Sequence, residues 1–142
     1  MPRATVKPER LAVKIVARTP TLAEFVRLID AVGWSRYTNK KSLSKALANS
    51  LFCAVALHER KVIGAGRLVG DGARNIDVQD IMVLPEYQRR GVGTAIMDRL
   101  MAWINDRAPS KTYVHLFTEK RTRPSMRATA FRGLKSRSMG CR

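Results

Sequence analysis

The sequence predicts a single α/β domain with a mixed β-sheet and helices packed on it. Apolar strand-like runs alternate with amphipathic segments in the order strand, two helices, three strands, helix, strand. The length of 142 residues suits one domain with its own core. The hydrophobic content of 45% is ordinary for a globular protein.

The first part of the chain is predicted to contain a strand and two helices. Residues 11–17 form an apolar run that reads as a strand, and Thr21 stands at the start of a helix over 21–32. Gly33 ends this helix. A second helix is expected over 40–50, where apolar residues recur at the spacing of one helical face.

Three strands, a longer helix and a last strand follow. The three strands cover 51–57, 62–69 and 76–84, and strong turn signals separate them. A helix over about 91–105 carries apolar residues at three- and four-residue spacing. The final strand of this series covers 112–118.

The pattern changes after Glu119. Residues 120–142 have little apolar periodicity and contain eight basic residues and no acidic one. A short helix around 124–131 is one interpretation, and a mobile or poorly packed basic tail is the other. We therefore treat 1–142 as one domain with an atypical C-terminal segment.

Charge and composition restrict the class of protein. The net charge of +16 suggests a nucleic-acid partner, but about half of the excess lies in the tail, where Phe131 is the one aromatic residue that could stack on bases. Nucleic-acid binding is therefore disfavoured as the main role. The sequence shows no membrane span, no secretion signal and no metal-ligating cysteine cluster, so we expect a cytoplasmic protein without a metal.

The most informative segment is 88–93 (QRRGVG), between the strand over 76–84 and the next helix. Glycine lets the backbone approach a bulky anion, and a helix start supplies unpaired N–H groups and the positive end of the helix dipole. The segment lacks the GxxxxGK[ST] pattern of a P-loop, and Ile96 replaces the third glycine of a dinucleotide-binding fingerprint. A third pattern, Q/R-x-x-G-x-G/A after a strand ending in V-x-P, fits residues 83–93 at every position.

Residues 83–93 (VLPEYQRRGVG) resemble the pyrophosphate loop of the GNAT acetyltransferase superfamily, which uses acetyl-CoA. The order of the elements upstream is also similar, so the resemblance covers roughly residues 10–118. It implies a mostly antiparallel, twisted mixed sheet with helices on both faces and a central pair of splayed parallel strands, here 76–84 and 112–118. It further implies an acetyl-CoA-dependent N-acetyltransferase that transfers the acetyl group directly to a primary amine.

The resemblance also implies which residues contact the coenzyme. The open edges of splayed strands leave backbone groups unpaired, and the pantetheine arm can satisfy them like an added strand. The N–H of Val83 is expected to polarise the acetyl carbonyl as a small oxyanion hole. The expected coenzyme-binding residues are Met82, Val83, Leu84, Gln88, Arg89, Arg90, Gly91, Val92, Gly93 and Thr94.

Two carboxylates are candidates for the base that deprotonates the acceptor amine. Asp77 stands six residues before Val83, where the family often has a carboxylate, and Asp80 is the second candidate. In a regular strand these two side chains lie on opposite faces, so both reach one site only if a bulge intervenes. His115, in the last strand, is expected to be half-buried near the cleft, and a catalytic role for it stays open.

The sequence departs from the family at the residue that usually protonates the leaving thiolate. When Phe131 is aligned with the phenylalanine of the family's Y-x-x-x-G-F pattern, Met126 takes the place of the tyrosine and Ala130 that of the glycine. A local reading-frame slip in the coding sequence is one hypothesis for this mixture. If the protein is made as written, coenzyme binding can persist while catalysis slows.

Several alternatives stay open from the sequence. A noncatalytic acyl-CoA-binding module on the same fold is the main alternative function, and a basic nucleic-acid-binding protein is a weaker one. The acceptor is a small metabolite amine, an antibiotic-like polyamine or a protein amine, and the positive charge of the chain argues mildly against a polycation. Family members often pair through sheet edges or C-terminal strands, so a homodimer is an open expectation.

Overall fold

The computed structural model of the protein describes residues 11–117 and, as backbone, residues 139–141. The described chain forms one six-stranded sheet whose strands lie side by side in sequence order. The first four strands are antiparallel neighbours, and the last two add to them in parallel. The strands are β1 (Lys14–Ala17), β2 (Phe52–His58), β3 (Lys61–Gly70), β4 (Asn75–Val83), β5 (Tyr113–Leu116) and β6 (Met139–Cys141), and the helices are α1 (Leu22–Ala31), α2 (Leu43–Ala48) and α3 (Val92–Arg107).

The predicted elements up to β5 are all present, with ends that differ by a few residues. The second predicted helix is shorter than expected, because its first turn is a separate 3-10 helix over Lys40–Ser42. Strand β6 lies in the segment that the sequence left without a strand. The helix expected around 124–131 falls outside the described residues.

Helix α1 begins where the sequence places it, because Thr21 and Glu24 form a reciprocal cap. The Glu24 N–H donates to Thr21 Oγ1 over 3.2 Å, and the Thr21 N–H donates to Glu24 Oε2 over 2.8 Å. Phe25 and Leu28 on this helix are buried, and the helix packs against β3 and β4. The cap and the apolar face together fix the position of α1 on the sheet.

Helix α3 packs on the opposite face of the sheet, and Gly66 of β3 makes its close approach possible. A Cβ added at Gly66 would lie 2.8 Å from Ile96 Cγ2 and 3.0 Å from Leu100 Cδ1, both on α3. Arg67, the next residue of β3, donates from Nη1 to the Ala46 carbonyl of α2. Because successive strand residues point to opposite faces, α2 and α3 cover different faces, as predicted.

Strand β4 has a bulge and an open edge. Ala65 of β3 lies opposite Met82 of β4, and Arg67 lies opposite Gln79. Two steps along β3 thus match three along β4, so β4 carries one extra residue there. Its pairing with β5 ends at Val78, although β4 continues for five residues to position 83. Within the described residues this stretch has no strand neighbour on the β5 side, which is the open parallel pair that the fold prediction required.

Candidate active site

The loop between β4 and α3 presents a run of free backbone N–H groups. Arg89 and Gly91 both have left-handed backbone, with φ of +61° and +82°, and Gly91 caps α3. The first helical amide with a partner is that of Ala95, which donates to the Gly91 carbonyl over 3.0 Å. The amides of residues 89–94 donate to no acceptor among the described residues. A helix start of this kind is suited to bind an anion.

The segment before these amides is tied to the end of β4. The Tyr87 N–H donates to the Leu84 carbonyl over 2.9 Å, and the Gln88 N–H donates to the Pro85 carbonyl over 3.3 Å. The side-chain amide of Gln88 donates to the Val83 carbonyl over 3.0 Å. The backbone N–H and one side-chain N–H of Gln88 thus hold the loop, and its part in coenzyme binding stays a prediction.

Val83 is the residue whose backbone faces the open edge of β4. The Leu84 N–H donates to the Ile63 carbonyl of β3 over 2.8 Å, and the next pair along the ladder joins Val83 with Gly64. Antiparallel pairs alternate between bonded and non-bonded, so the backbone of Val83 points away from β3, while Leu84 and Met82 point toward it. The expectation of backbone contacts from Leu84 and Met82 is therefore wrong for their N–H groups.

Gly93, in the first turn of α3, leaves space that no atom of the described residues fills. A Cβ built there would meet only the Val83 Cγ2 methyl group at 3.8 Å, an ordinary contact, and φ at Gly93 is not in the left-handed region. Neither backbone strain nor crowding by the protein requires a glycine at this position. The side chains of Arg89 and Arg90 are exposed, and no carboxylate among the described residues forms an ion pair with them. Space, free amides and unpaired positive charge thus coincide, as a diphosphate requires.

Asp80, the second candidate base, is engaged by an arginine. Arg67 Nε lies 2.6 Å from Asp80 Oδ2, and Arg67 Nη1 also reaches the Ala46 carbonyl and Ser50 Oγ. The φ of Asp80 is +52°, which is uncommon for a residue with a side chain. This carboxylate therefore anchors the strained residue of the bulge to α2.

The bulge brings Asp77 onto the same face of the sheet as Asp80. In the β3–β4 ladder Val69 lies opposite Asp77 and Arg67 lies opposite Gln79. Directly opposed residues share a face, as do residues two apart on one strand. Asp77 therefore points to the face on which Arg67 binds Asp80. The sequence alone allowed both carboxylates on one face only if a bulge lay between them, and the bulge is present.

Asp77 has a partner that sequence reasoning did not connect to it. His115 Nδ1 lies 2.9 Å from Asp77 Oδ1, and the two residues are directly paired in the β4–β5 ladder. The ring of Tyr113 lies parallel to the His115 ring, with centroids 6.5 Å apart. The two members of the pair are 38 positions apart in the chain, so their contact depends on strand register, which the sequence alone does not give.

The sequence of residues 20–132 matches the profile of the Acetyltransferase (GNAT) family. The chain belongs to this family. Among solved structures, the GNAT family acetyltransferase SP0256 from Streptococcus pneumoniae TIGR4 superposes with a TM-score of 0.72 at 35% identity, covering 84% of this chain and 87% of that one. The fold and the resemblance to GNAT acetyltransferases predicted from the sequence are thereby confirmed.

Curated relatives carry acetyltransferase names but are longer. The uncharacterized N-acetyltransferase ycf52-like of Prochlorococcus marinus is 34% identical over 94 residues, which is 63% of this chain and 52% of that protein. GCN5-related N-acetyltransferase 2, chloroplastic, of Arabidopsis thaliana is 35% identical over 95 residues, 52% of this chain and 36% of that protein. The matched part spans about half or less of these GNAT relatives.

Two further properties concern the described part of this GNAT domain. Across residues 11–117 and 139–141, no three His, Cys, Asp or Glu side chains lie together in a way that could hold a metal ion. No helix in the same ranges has the length and apolar character to cross a bilayer.

Proposed function

We propose that the protein is an N-acetyltransferase that moves the acetyl group of acetyl-CoA to a primary amine. The observation that carries this proposal is the run of free amides at residues 89–94, next to the open edge of β4. These amides would hold the diphosphate, and Arg89 and Arg90 would add charge to it. The unfilled space at Gly93 leaves room for the phosphate oxygens.

The open edge of β4 supplies the groups that act on the thioester. The pantetheine arm would lie along residues 79–83, where it can bond to the backbone like an added strand. The Val83 N–H points to this edge and would bond to that arm. Because the arm would run from the diphosphate at residues 89–94 toward residue 79, the acetyl carbonyl would lie near the Asp77 end of this stretch rather than at Val83, where the resemblance placed it. Of the two candidate carboxylates we assign Asp77 to the proton transfer, because the Asp80 carboxylate is bonded to Arg67.

The reaction joins these parts in one transfer step. The acceptor ammonium loses a proton, its nitrogen attacks the carbonyl carbon, a C–N bond forms and the C–S bond breaks. The electron pair of that bond leaves with the sulfur of CoA, which takes up a proton, and the attacking nitrogen loses its second proton to become the amide. Direct transfer requires no covalent intermediate on the protein, since both substrates meet at the same open edge.

The acceptor and the location in the cell are also part of the proposal. A small metabolite amine and a protein amine are both compatible with the site, and a polycation is disfavoured by the net charge of +16. A cytoplasmic location remains a prediction, and one relative is chloroplastic by name. A homodimer and the order of residues 120–142 remain predictions as well.

Release of the CoA thiol in the presence of amines tests the function. Acetyl-CoA is mixed with the protein and with a panel of monoamines, polyamines, amino sugars and a lysine-containing peptide, and free thiol is followed with a chromogenic disulfide. Amine-dependent release with a matching acetylated product supports the proposal. Binding of acetyl-CoA without release for any amine would instead support the noncatalytic module.

A further inference from the structure

The contact between Asp77 and His115 fixes where the imidazole carries its proton. An ionised carboxylate only accepts hydrogen bonds, so His115 Nδ1 is the donor in the 2.9 Å contact with Asp77 Oδ1. In the neutral ring the other nitrogen, Nε2, then has a free lone pair. The pair therefore has the form of an oriented base, with a carboxylate behind it.

Within residues 11–117, the groups around His115 other than Asp77 hold the ring by stacking. Tyr113 stacks on the ring with an interplanar angle of 2°, and the Arg74 guanidinium lies 5.5 Å from the centre of the Tyr113 ring. In the β5–β6 ladder the residue opposite His115 is Gly140, which has no titratable side chain. The other charged pair on this face of β4 is Arg67 with Asp80, and its two members are bonded to each other.

The position of the pair in the sheet is beside the open edge. Four residue pairs join β4 to β5, and the last of them is Val78 with Leu116. Asp77 and His115 form the pair directly before it. The side chains of Asp77 and His115 are 32% and 36% exposed, so a substrate in solution can reach them. A pair with a purely structural role in the core would be expected to be buried.

We propose that His115, oriented by Asp77, takes the proton from the acceptor ammonium. This inference rests on the proposed acetyl transfer and names the proton acceptor within it. The proton moves to Nε2, the ring becomes an imidazolium ion, and the Asp77 carboxylate stabilises its charge while the freed amine attacks the thioester. The imidazolium then returns this proton to the CoA thiolate, which restores the neutral ring. The second proton of the attacking nitrogen passes to water as the amide forms, so the products are the amide, the CoA thiol and one released proton. Asp77 is thus the positioning residue.

The tautomer of His115 provides a test that does not depend on activity. The chain has two histidines, so correlation spectra of the imidazole nitrogens are simple, and His58→Gln assigns them. We expect neutral His115 to carry its proton on Nδ1 in the wild type and on Nε2 in Asp77→Ala. A wild-type ring protonated on Nε2 would overturn the orienting role of Asp77.

Kinetics test the proton transfer itself. With an amine that the wild type acetylates, His115→Gln is expected to lower kcat at pH 7 by about 10²-fold or more, and the fall of kcat toward acidic pH should disappear. Free imidazole should restore part of the activity of His115→Ala. His58→Gln is the matched histidine control, because the ring of His58 contacts the Ala12 carbonyl and the Tyr87 ring rather than Asp77. Its kcat, measured at saturating acetyl-CoA, should stay within about twofold.

The outcomes of these experiments distinguish the role of His115 from the proposed acetyltransferase function on which it rests. An active wild type together with an unimpaired His115→Gln overturns the role of His115 and leaves the acetyltransferase assignment intact. A wild type that binds acetyl-CoA but acetylates no amine overturns both. Loss of activity in His115→Gln with unchanged affinity for acetyl-CoA, and rescue by imidazole, supports the proposal.

Discussion

Arg67 of β3 donates from Nε to Oδ2 of Asp80 over 2.6 Å, and this ion pair joins the bulge of β4 to helix α2. The same guanidinium reaches the Ala46 carbonyl and Ser50 Oγ, so one side chain ties the bulge to the end of α2. The bulge is the reason that Asp77 and Asp80 share a face of the sheet. Stability of this region and geometry of the site are therefore linked.

Asp80→Asn is expected to lower the free energy of unfolding by about 1–3 kcal/mol, because it leaves the partly buried guanidinium of Arg67 without a charged partner. Asparagine tolerates positive φ, so the backbone of the bulge is not the cause of the loss. Urea denaturation measures the change. The control is Asp106→Asn, whose exposed contact with Arg107 spans 4.0 Å and which should change stability by at most ~0.5 kcal/mol. Equal losses in both variants would contradict the role given to Arg67 and Asp80.

Two glycine-to-alanine variants should have opposite effects on folding. Gly66→Ala places a Cβ against the side chains of Ile96 and Leu100, which must shift, alone or with α3, at an expected cost of about 1–3 kcal/mol. Gly93→Ala meets ordinary contacts only and lies in the first turn of α3, so it should be neutral or stabilising by up to ~1 kcal/mol. Thermal and urea unfolding of the two variants decide the matter, and a destabilised Gly93→Ala would show that the loop space is not free.

A larger side chain at the same position, in Gly93→Leu, should weaken the binding of acetyl-CoA about tenfold or more, a loss of at least ~1.4 kcal/mol. The leucine side chain occupies space that we assign to the phosphate oxygens, whereas Gly93→Ala, which the Q/R-x-x-G-x-G/A pattern admits, should keep most of the affinity. The measurement is a calorimetric titration of the folded Gly93→Leu variant beside the wild type. Unchanged affinity would remove Gly93 from the diphosphate site.

The pH dependence of stability should include a contribution from Asp71. Hydrogen bonds from the backbone N–H groups of Asn75, Ala73 and Arg74 lower the pKa of Asp71 below its ordinary value of 3.8. A lowered folded-state pKa stabilises the fold above the ordinary value, and this contribution is lost as the pH falls through the folded pKa. Asp71→Asn should therefore differ most from the wild type near pH 6 and least near pH 2. Urea midpoints across this range measure it, and a constant difference would contradict the assignment.

The sequence predicted the elements and the loop because their signals are local. Each signal spans a few residues: the glycines of the turns, Thr21 at the start of α1, and the V-x-P and Q-x-x-G-x-G patterns of the loop. Local signals of this kind did not predict the bulge at Asp80 or the contact between Asp77 and His115. Both depend on how distant strands pair, and register is set by tertiary packing.

The sequence also did not determine which residues of 82–84 and the loop face the coenzyme. Residues 82–84 were expected to present their backbone to the ligand, but strand alternation leaves that role to Val83 within the described ladder. The sequence indicates that alternate residues of β4 direct their backbone groups to opposite edges of the strand. Which residues face the open edge became clear only from the hydrogen bond between the Leu84 N–H and the Ile63 carbonyl. Gln88, predicted as a coenzyme contact, holds the loop to Val83.

Calorimetric titration of the wild-type protein with acetyl-CoA and with S-acetylpantetheine tests the central claim most directly. The two ligands share the acetyl group and the pantetheine arm, and acetyl-CoA adds the diphosphate and an adenosine 3′-phosphate. S-acetyl-4′-phosphopantetheine, titrated as a third ligand, carries one phosphate at the diphosphate position and no adenosine, so its gain over S-acetylpantetheine isolates the phosphate contact. If the amides of residues 89–94 hold the diphosphate, acetyl-CoA should bind at least about 100-fold more tightly, a difference of ~2.8 kcal/mol. Equal affinities, or no binding of acetyl-CoA to well-folded protein, would contradict the account.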